Sequence, residues 1–143
     1  MLFKPFVAGA DVYTTMRQPF NSRQILLVDD EPAVRDTIRM MLTIEGHHVE
    51  AVGSGAEALE KLGKRNYDFV FTDHIMGGMS GEQLARAIKA KYPLQTVVML
   101  TAYAEVLDQL TQEGPLVDFT LSKPIDIRLL RHILLRLTSE KTA

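Results

Sequence analysis

Apolar residues in this chain gather into short continuous runs, separated by stretches with helical spacing. Four of the runs stop abruptly at charged or hydroxyl residues. Ile25-Leu26-Leu27-Val28 stops at Asp29-Asp30, and Phe69-Val70-Phe71-Thr72 stops at Asp73. Val97-Val98-Met99-Leu100 stops at Thr101, and Phe119-Thr120-Leu121-Ser122 stops at Lys123-Pro124. Short runs rich in Val, Leu, Ile and Phe, with helical patterns between them, predict buried parallel strands.

Following the pattern along the chain, a strand over 24–29 leads to a helix over about 31–45, with Asp30 as N-cap and Pro32 in the first turn. Val34, Ile38, Met41 and Leu42 form its inward stripe, and Gly46 stops it. A strand over His48–Val52 follows. Ser54 and Glu57 then carry a capping-box signature for a helix ending near Gly63. The strand over 69–73 meets a glycine-rich loop, after which Ser80 and Gln83 repeat the capping signature. That next helix carries Leu84, Ala87 and Ile88 inward and stops before Pro93. A strand over 96–100 precedes a helix with Tyr103, Val106, Leu107 and Leu110, broken at Gly114-Pro115. A strand over 117–121 and a helix from Asp126 to about Leu137 complete the pattern. Five β-α units predict an α/β fold, a doubly wound five-stranded parallel sheet with helices on both faces.

Residues 1–23 have no sustained period and contain two prolines, so they are expected to form an irregular extension ahead of one domain over 24–140. At 143 residues, one domain is the ordinary expectation. The chain is 46% hydrophobic and 24% charged with a net charge of −2, which offers no electrostatic footprint for nucleic acid. It has no cysteine, hence no disulfide framework or thiol chemistry, which fits a cytoplasmic location. No apolar run approaches the roughly 18 residues of a membrane-spanning helix.

Strand ends carry the candidate chemistry, because the carboxyl ends of an open parallel sheet converge on one crevice. Adjacent carboxylates at Asp29 and Asp30 repel each other unless a cation sits between them, and hard oxygen ligands of this kind suit Mg²⁺. Capping alone would explain Asp30 equally well. Asp73 ends an otherwise apolar strand and precedes Gly77, Gly78 and Gly81, so it is a candidate nucleophile for an aspartyl-phosphate. Lys123 can reach phosphate oxygens as a point charge, and Pro124 makes a cis peptide plausible at that turn. Thr101 adds a hydroxyl. Each residue alone has an ordinary structural explanation; their joint placement at four strand ends points to phosphoryl chemistry.

The motifs LLVDDEP (26–32), FVFTDHIMGGMSG (69–81), VVMLTAY (97–103) and LSKP (121–124) resemble those of the receiver domain of two-component response regulators. The resemblance implies a flavodoxin-like fold with strand order 2-1-3-4-5. It also implies a signalling phosphoacceptor rather than a turnover enzyme, taking a phosphoryl group on Asp73 from a histidine kinase or histidine phosphotransfer protein. Mg²⁺ would be held by Asp30, Asp73 and the backbone carbonyl of Ile75, with Asp29 acting through metal-bound water. Thr101 and Lys123 would bind the phosphoryl oxygens. A downstream protein target is implied, with no nucleic-acid or membrane partner. The little chain left after the last helix favours a single-domain switch or phosphorelay intermediate, with a receiver fragment of a hybrid histidine kinase as the alternative. An aspartyl-nucleophile phosphohydrolase would need an Asp-x-Asp pair, and residue 75 is Ile.

Two positions depart from the family pattern. Met76-Gly77 stands where Met-Pro is usual, and Thr120 stands where the family has its switch aromatic. Phe119 is one position early, so strand alternation sends it to the opposite face. Val34, Thr37, Met41 and Ile44 read first as a wide core stripe and otherwise as a partner-docking face. His47, His48, His74 and His132 share no metal-ligand spacing. His74 directly follows Asp73; a solvated side chain is the simpler expectation, with modulation of access or pH response as the alternative.

Overall fold

The computed structural model describes residues 22–102 and 116–142, the last five by backbone alone. Its elements run β1 (Gln24–Val28), α1 (Pro32–Ile44), β2 (His48–Val52), α2 (Gly55–Lys64), β3 (Phe69–Asp73), α3 (Gly81–Lys91), β4 (Thr96–Thr101), β5 (Phe119–Ser122) and α4 (Ile127–Thr142). All strand pairings are parallel, in the order β2-β1-β3-β4-β5. The expected doubly wound sheet is therefore the observed one. The helix expected over residues 103–110 and most of the N-terminal extension lie outside the described residues. Ser22 and Arg23, assigned to that extension, already bond to Gly46 and His47.

Alternation along the strands builds two cores. Leu26, Val28, Val70, Val97 and Met99 face α2 and α3, packing with Ala58, Leu62, Leu84 and Ile88. Ile25, Leu27, Phe69, Phe71, Val98 and Leu100 face α1 and α4, packing with Ile38, Leu42, Leu130 and Leu134. Strands buried on both faces need continuous apolar runs, and that is the pattern the chain carries.

Helix boundaries follow local chemistry. In α1 the N-cap is Glu31, without a side-chain cap bond, and Asp30 does not cap as expected. The Asp30 carboxylate turns instead to the Gly77 N–H, while Asp29 Oδ1 accepts from the Glu31 N–H. Gly46 takes a φ of 96° just past the end of α1, the left-handed conformation that glycine adopts without a Cβ penalty. Ser54 Oγ accepts from the Glu57 N–H, whereas Ser80 and Gln83 form the full reciprocal box. On α3 the buried alanine is Ala85, with Ala87 only partly buried.

The last strand begins at Phe119, two residues later than its apolar pattern predicts. Asp118 explains the shift, because its carboxylate accepts from the Val97 N–H and so replaces a ladder bond with a side-chain bond. The last helix continues five residues past Leu137. Among the described residues, no helix is long and apolar enough to cross a membrane.

Candidate functional site

Sheet register brings the site together. Val28 pairs with Thr72, Asp73 with Leu100, and Thr101 with Ser122, so Asp29, Asp73, Thr101 and Lys123 all emerge at one edge. Oxygen atoms of Asp29, Asp30 and Asp73 lie within 4.8 Å of one another. Lys123 Nζ donates to Asp73 Oδ1 at 2.7 Å and to Asp29 Oδ2 at 3.5 Å. Three carboxylates against one ammonium leave a net negative hollow, a donor set suited to a hard divalent cation.

Burial differs sharply among the acids. Asp29 is wholly buried, Asp73 nearly so, and Asp30 exposed. Burial pushes the Asp29 carboxyl above the usual carboxylate range, with the neighbouring Asp73 charge adding to the push; the Glu31 N–H and Lys123 pull the other way. For Lys123, burial alone would lower the ammonium pKa. The hydrogen bond to Asp73 and the charges of Asp29 and Asp73 outweigh it and hold Lys123 above its ordinary value. The lysine therefore stays a cation. Its peptide bond to Pro124 is cis, as its turn position anticipated.

The loop between β3 and α3 folds back hard. The Gly81 N–H donates to the His74 carbonyl at 2.8 Å, and a Cβ added at Gly81 would lie 2.2 Å from the Asp73 carbonyl oxygen. Gly77 donates its N–H to Asp30 Oδ2 at 2.9 Å. A proline there would have no N–H to give, so the Met-Gly departure ties the loop to the acid cluster. Ile75, earlier in the same loop, is 63% exposed.

His74 does not behave as a solvated side chain. Its Nδ1 lies 2.8 Å from Thr101 Oγ1 and its Nε2 lies 2.7 Å from Glu82 Oε1, with only 14% of the side chain exposed. The sequence singled out His74 but favoured a solvated side chain, and it did not point to Glu82. The signal was faint: an imidazole directly after Asp73 and an acid in the first turn of α3, joined only once the loop folds back.

Beside this edge lies a groove of about 560 Å³ lined by Val34, Thr37, Met41, Lys123 and Ile125. Val34 and Met41 pack partly against the core, while Thr37 is exposed and Ile44 is 46% exposed. The stripe on α1 is thus part core and part open wall.

Together these features define a flavodoxin-like α/β protein with an acid cluster and a lysine at its switch-point crevice. The chain belongs to the response regulator receiver domain family, whose model matches residues 25–135. It is 38% identical over 104 residues to the transcriptional regulatory protein GlrR of Escherichia coli (strain K12), covering 71% of this chain and 23% of that protein. The chain thus spans about a quarter of that relative's length. Among solved structures it is similar to the response regulator TrrA of Thermotoga maritima in complex with Mg²⁺-BeF. That match has 32% identity and a TM-score of 0.73, covering 80% of this chain and 98% of that one. It is also similar to the receiver domain of the sensor histidine kinase PA1611 of Pseudomonas aeruginosa PAO1, which has a magnesium ion coordinated in its active site cleft. Here the identity is 29% and the TM-score 0.74, covering 82% of this chain and 98% of that one.

Proposed function

We propose that this chain is the phosphoacceptor of a two-component pathway, taking a phosphoryl group on Asp73 from a histidine kinase or histidine phosphotransfer protein in a Mg²⁺-dependent step. The observation that carries this reading is the Asp73 carboxylate held 2.7 Å from Lys123, with Asp29 and Asp30 oxygens close by. In the transfer, an oxygen of Asp73 forms a bond to phosphorus as the bond to the donor imidazole nitrogen breaks, and the leaving imidazole takes up a proton.

The residues present fit a magnesium ion, since the three carboxylates exceed the charge that Lys123 can neutralise. Asp30, Asp73 and the Ile75 carbonyl would hold the ion, and Asp29 would act through its water. When bound, the ion would supply charge neutralisation between the acceptor oxygens and the incoming phosphoryl group. Lys123 then binds a phosphoryl oxygen as a fixed cation, and Thr101 offers its hydroxyl to another. The groove beside Lys123, walled by Val34, Thr37 and Met41, gives a partner helix an apolar seat next to the acceptor.

Such a chain is a signalling switch working in the cytoplasm, not a turnover enzyme. The likeness to a sensor-kinase receiver supports a place within a hybrid kinase as the second reading. Intact-mass measurement after incubation with a small phosphodonor tests the class. The expected result is the gain of a phosphoryl group with Mg²⁺ and none after chelation; no gain under either condition overturns the reading.

A further inference from the structure

Thr101 sits at the end of β4, one strand over from Asp73, and its hydroxyl has one hydrogen to give. In this chain that hydroxyl meets His74 Nδ1 at 2.8 Å, and His74 Nε2 meets Glu82 Oε1 at 2.7 Å. The direction of the chain follows from its far end. An ionised carboxylate only accepts, so Nε2 carries the ring hydrogen. With that single ring hydrogen on Nε2, Nδ1 is left as a lone pair into which the Thr101 hydroxyl can donate. The backbone that carries the ring is held on both sides, because the His74 N–H donates to the Leu100 carbonyl at 3.0 Å and the His74 carbonyl accepts from Gly81. A hydroxyl that donates to His74 cannot donate the same hydrogen to a phosphoryl oxygen.

We propose that His74 and Glu82 are positioning residues that hold the Thr101 hydroxyl away from the phosphoryl group, so that Asp73 phosphorylation must break this latch. The proposal rests on the phosphoacceptor reading of Asp73. It differs from a steric gate, in which His74 would merely crowd the crevice. Because the phosphoryl group gains a threonine bond only by losing an imidazole bond, the net drive toward the phosphorylated arrangement is reduced by the worth of that bond. Glu82 strengthens the latch from α3, since its carboxylate fixes which ring nitrogen carries hydrogen and which way the ring faces.

The experiment follows phosphorylation by acetyl phosphate in excess Mg²⁺, read by intact mass in single turnover, with melting temperature as the check on folding. His74→Leu removes the acceptor for Thr101 and should raise the rate about two- to tenfold, the range expected for the loss of one hydrogen bond. Glu82→Leu should give a smaller rise, while Glu82→Gln, whose carbonyl oxygen still accepts from Nε2, should match wild type. In a Thr101→Val background, His74→Leu should change nothing. A second readout needs no metal: ring ¹⁵N NMR of the metal-free protein should show the Nε2–H tautomer of His74. A wild-type rate in His74→Leu, a rise that persists with Thr101→Val, or an Nδ1–H tautomer each overturns the latch while leaving the acceptor reading standing. Failure of the wild-type chain to take phosphate overturns both.

Discussion

Asp29 carries a carboxylate with no solvent exposure, against Asp73 on one side and only a 3.5 Å contact to Lys123 on the other. Burying a charge is costly unless it is well paired, and its raised pKa expresses that cost. Removing the charge but keeping the shape should therefore stabilise the metal-free fold. Asp29→Asn is expected to melt a few degrees higher without Mg²⁺, and thermal unfolding in chelator checks it; a lower melting temperature would mean that pairing with Lys123 outweighs the burial. Function should move the other way. Asp30→Asn is expected to weaken Mg²⁺ binding by at least roughly tenfold and more than Asp29→Asn, because only Asp30 would ligate directly. Titration of the ion into both variants decides the order, and equal losses count against it. The same trade of stability for function recurs where active sites hold unfavourable charge.

The β3–α3 connection shows what a single element contributes. Gly81 lets α3 begin against the end of β3, where any Cβ would meet the Asp73 carbonyl at 2.2 Å, His74 Cα at 2.9 Å and Met99 Sδ at 2.9 Å. Two of those three neighbours are backbone atoms and cannot swing aside. Gly81→Ala is expected to cost roughly 3 kcal/mol in urea unfolding and to slow phosphorylation by displacing Asp73; a variant as stable as wild type would show that the loop can relax. The parallel sheet and the convergence of Asp29, Asp30, Asp73 and Lys123 were legible in the residues, because buried strands need apolar runs and parallel strands share one carboxyl edge; the strand order came from the resemblance to receiver domains. Capping of α3 was legible too, since Ser80 and Gln83 are three residues apart. The bond from the Gly77 N–H to Asp30 was not: a strand-end Asp before a proline-started helix reads equally well as a cap until Gly77 arrives from a distant loop. The partners of His74, Thr101 and Glu82, stayed hidden for the same reason, as no periodicity reports how a glycine-rich loop folds back.

Across the whole molecule the two faces of the sheet are built differently at β5. Phe119 belongs to the face covered by α1 and α4, where Arg136 lies 5.4 Å above its ring, while the next residue, Thr120, pairs in register with Met99. The aromatic next to Thr120 thus packs on the face that Thr120 does not share. With a beryllofluoride phosphate mimic and Mg²⁺, amide NMR shifts should be larger at Thr101 and Ala102 than at Phe119–Leu121. The reverse pattern would show that β5 transmits the signal without an aromatic at Thr120. The metal site, the Thr101 latch and the response at β4 all depend on Asp73 being the acceptor. The most direct measurement compares wild type with Asp73→Asn after incubation with a small phosphodonor and Mg²⁺, with peptide mapping of any modified aspartate. Wild type should gain one phosphoryl group, mapped to Asp73, and Asp73→Asn none; phosphorylation of Asp73→Asn on any aspartate at the wild-type rate would contradict the account.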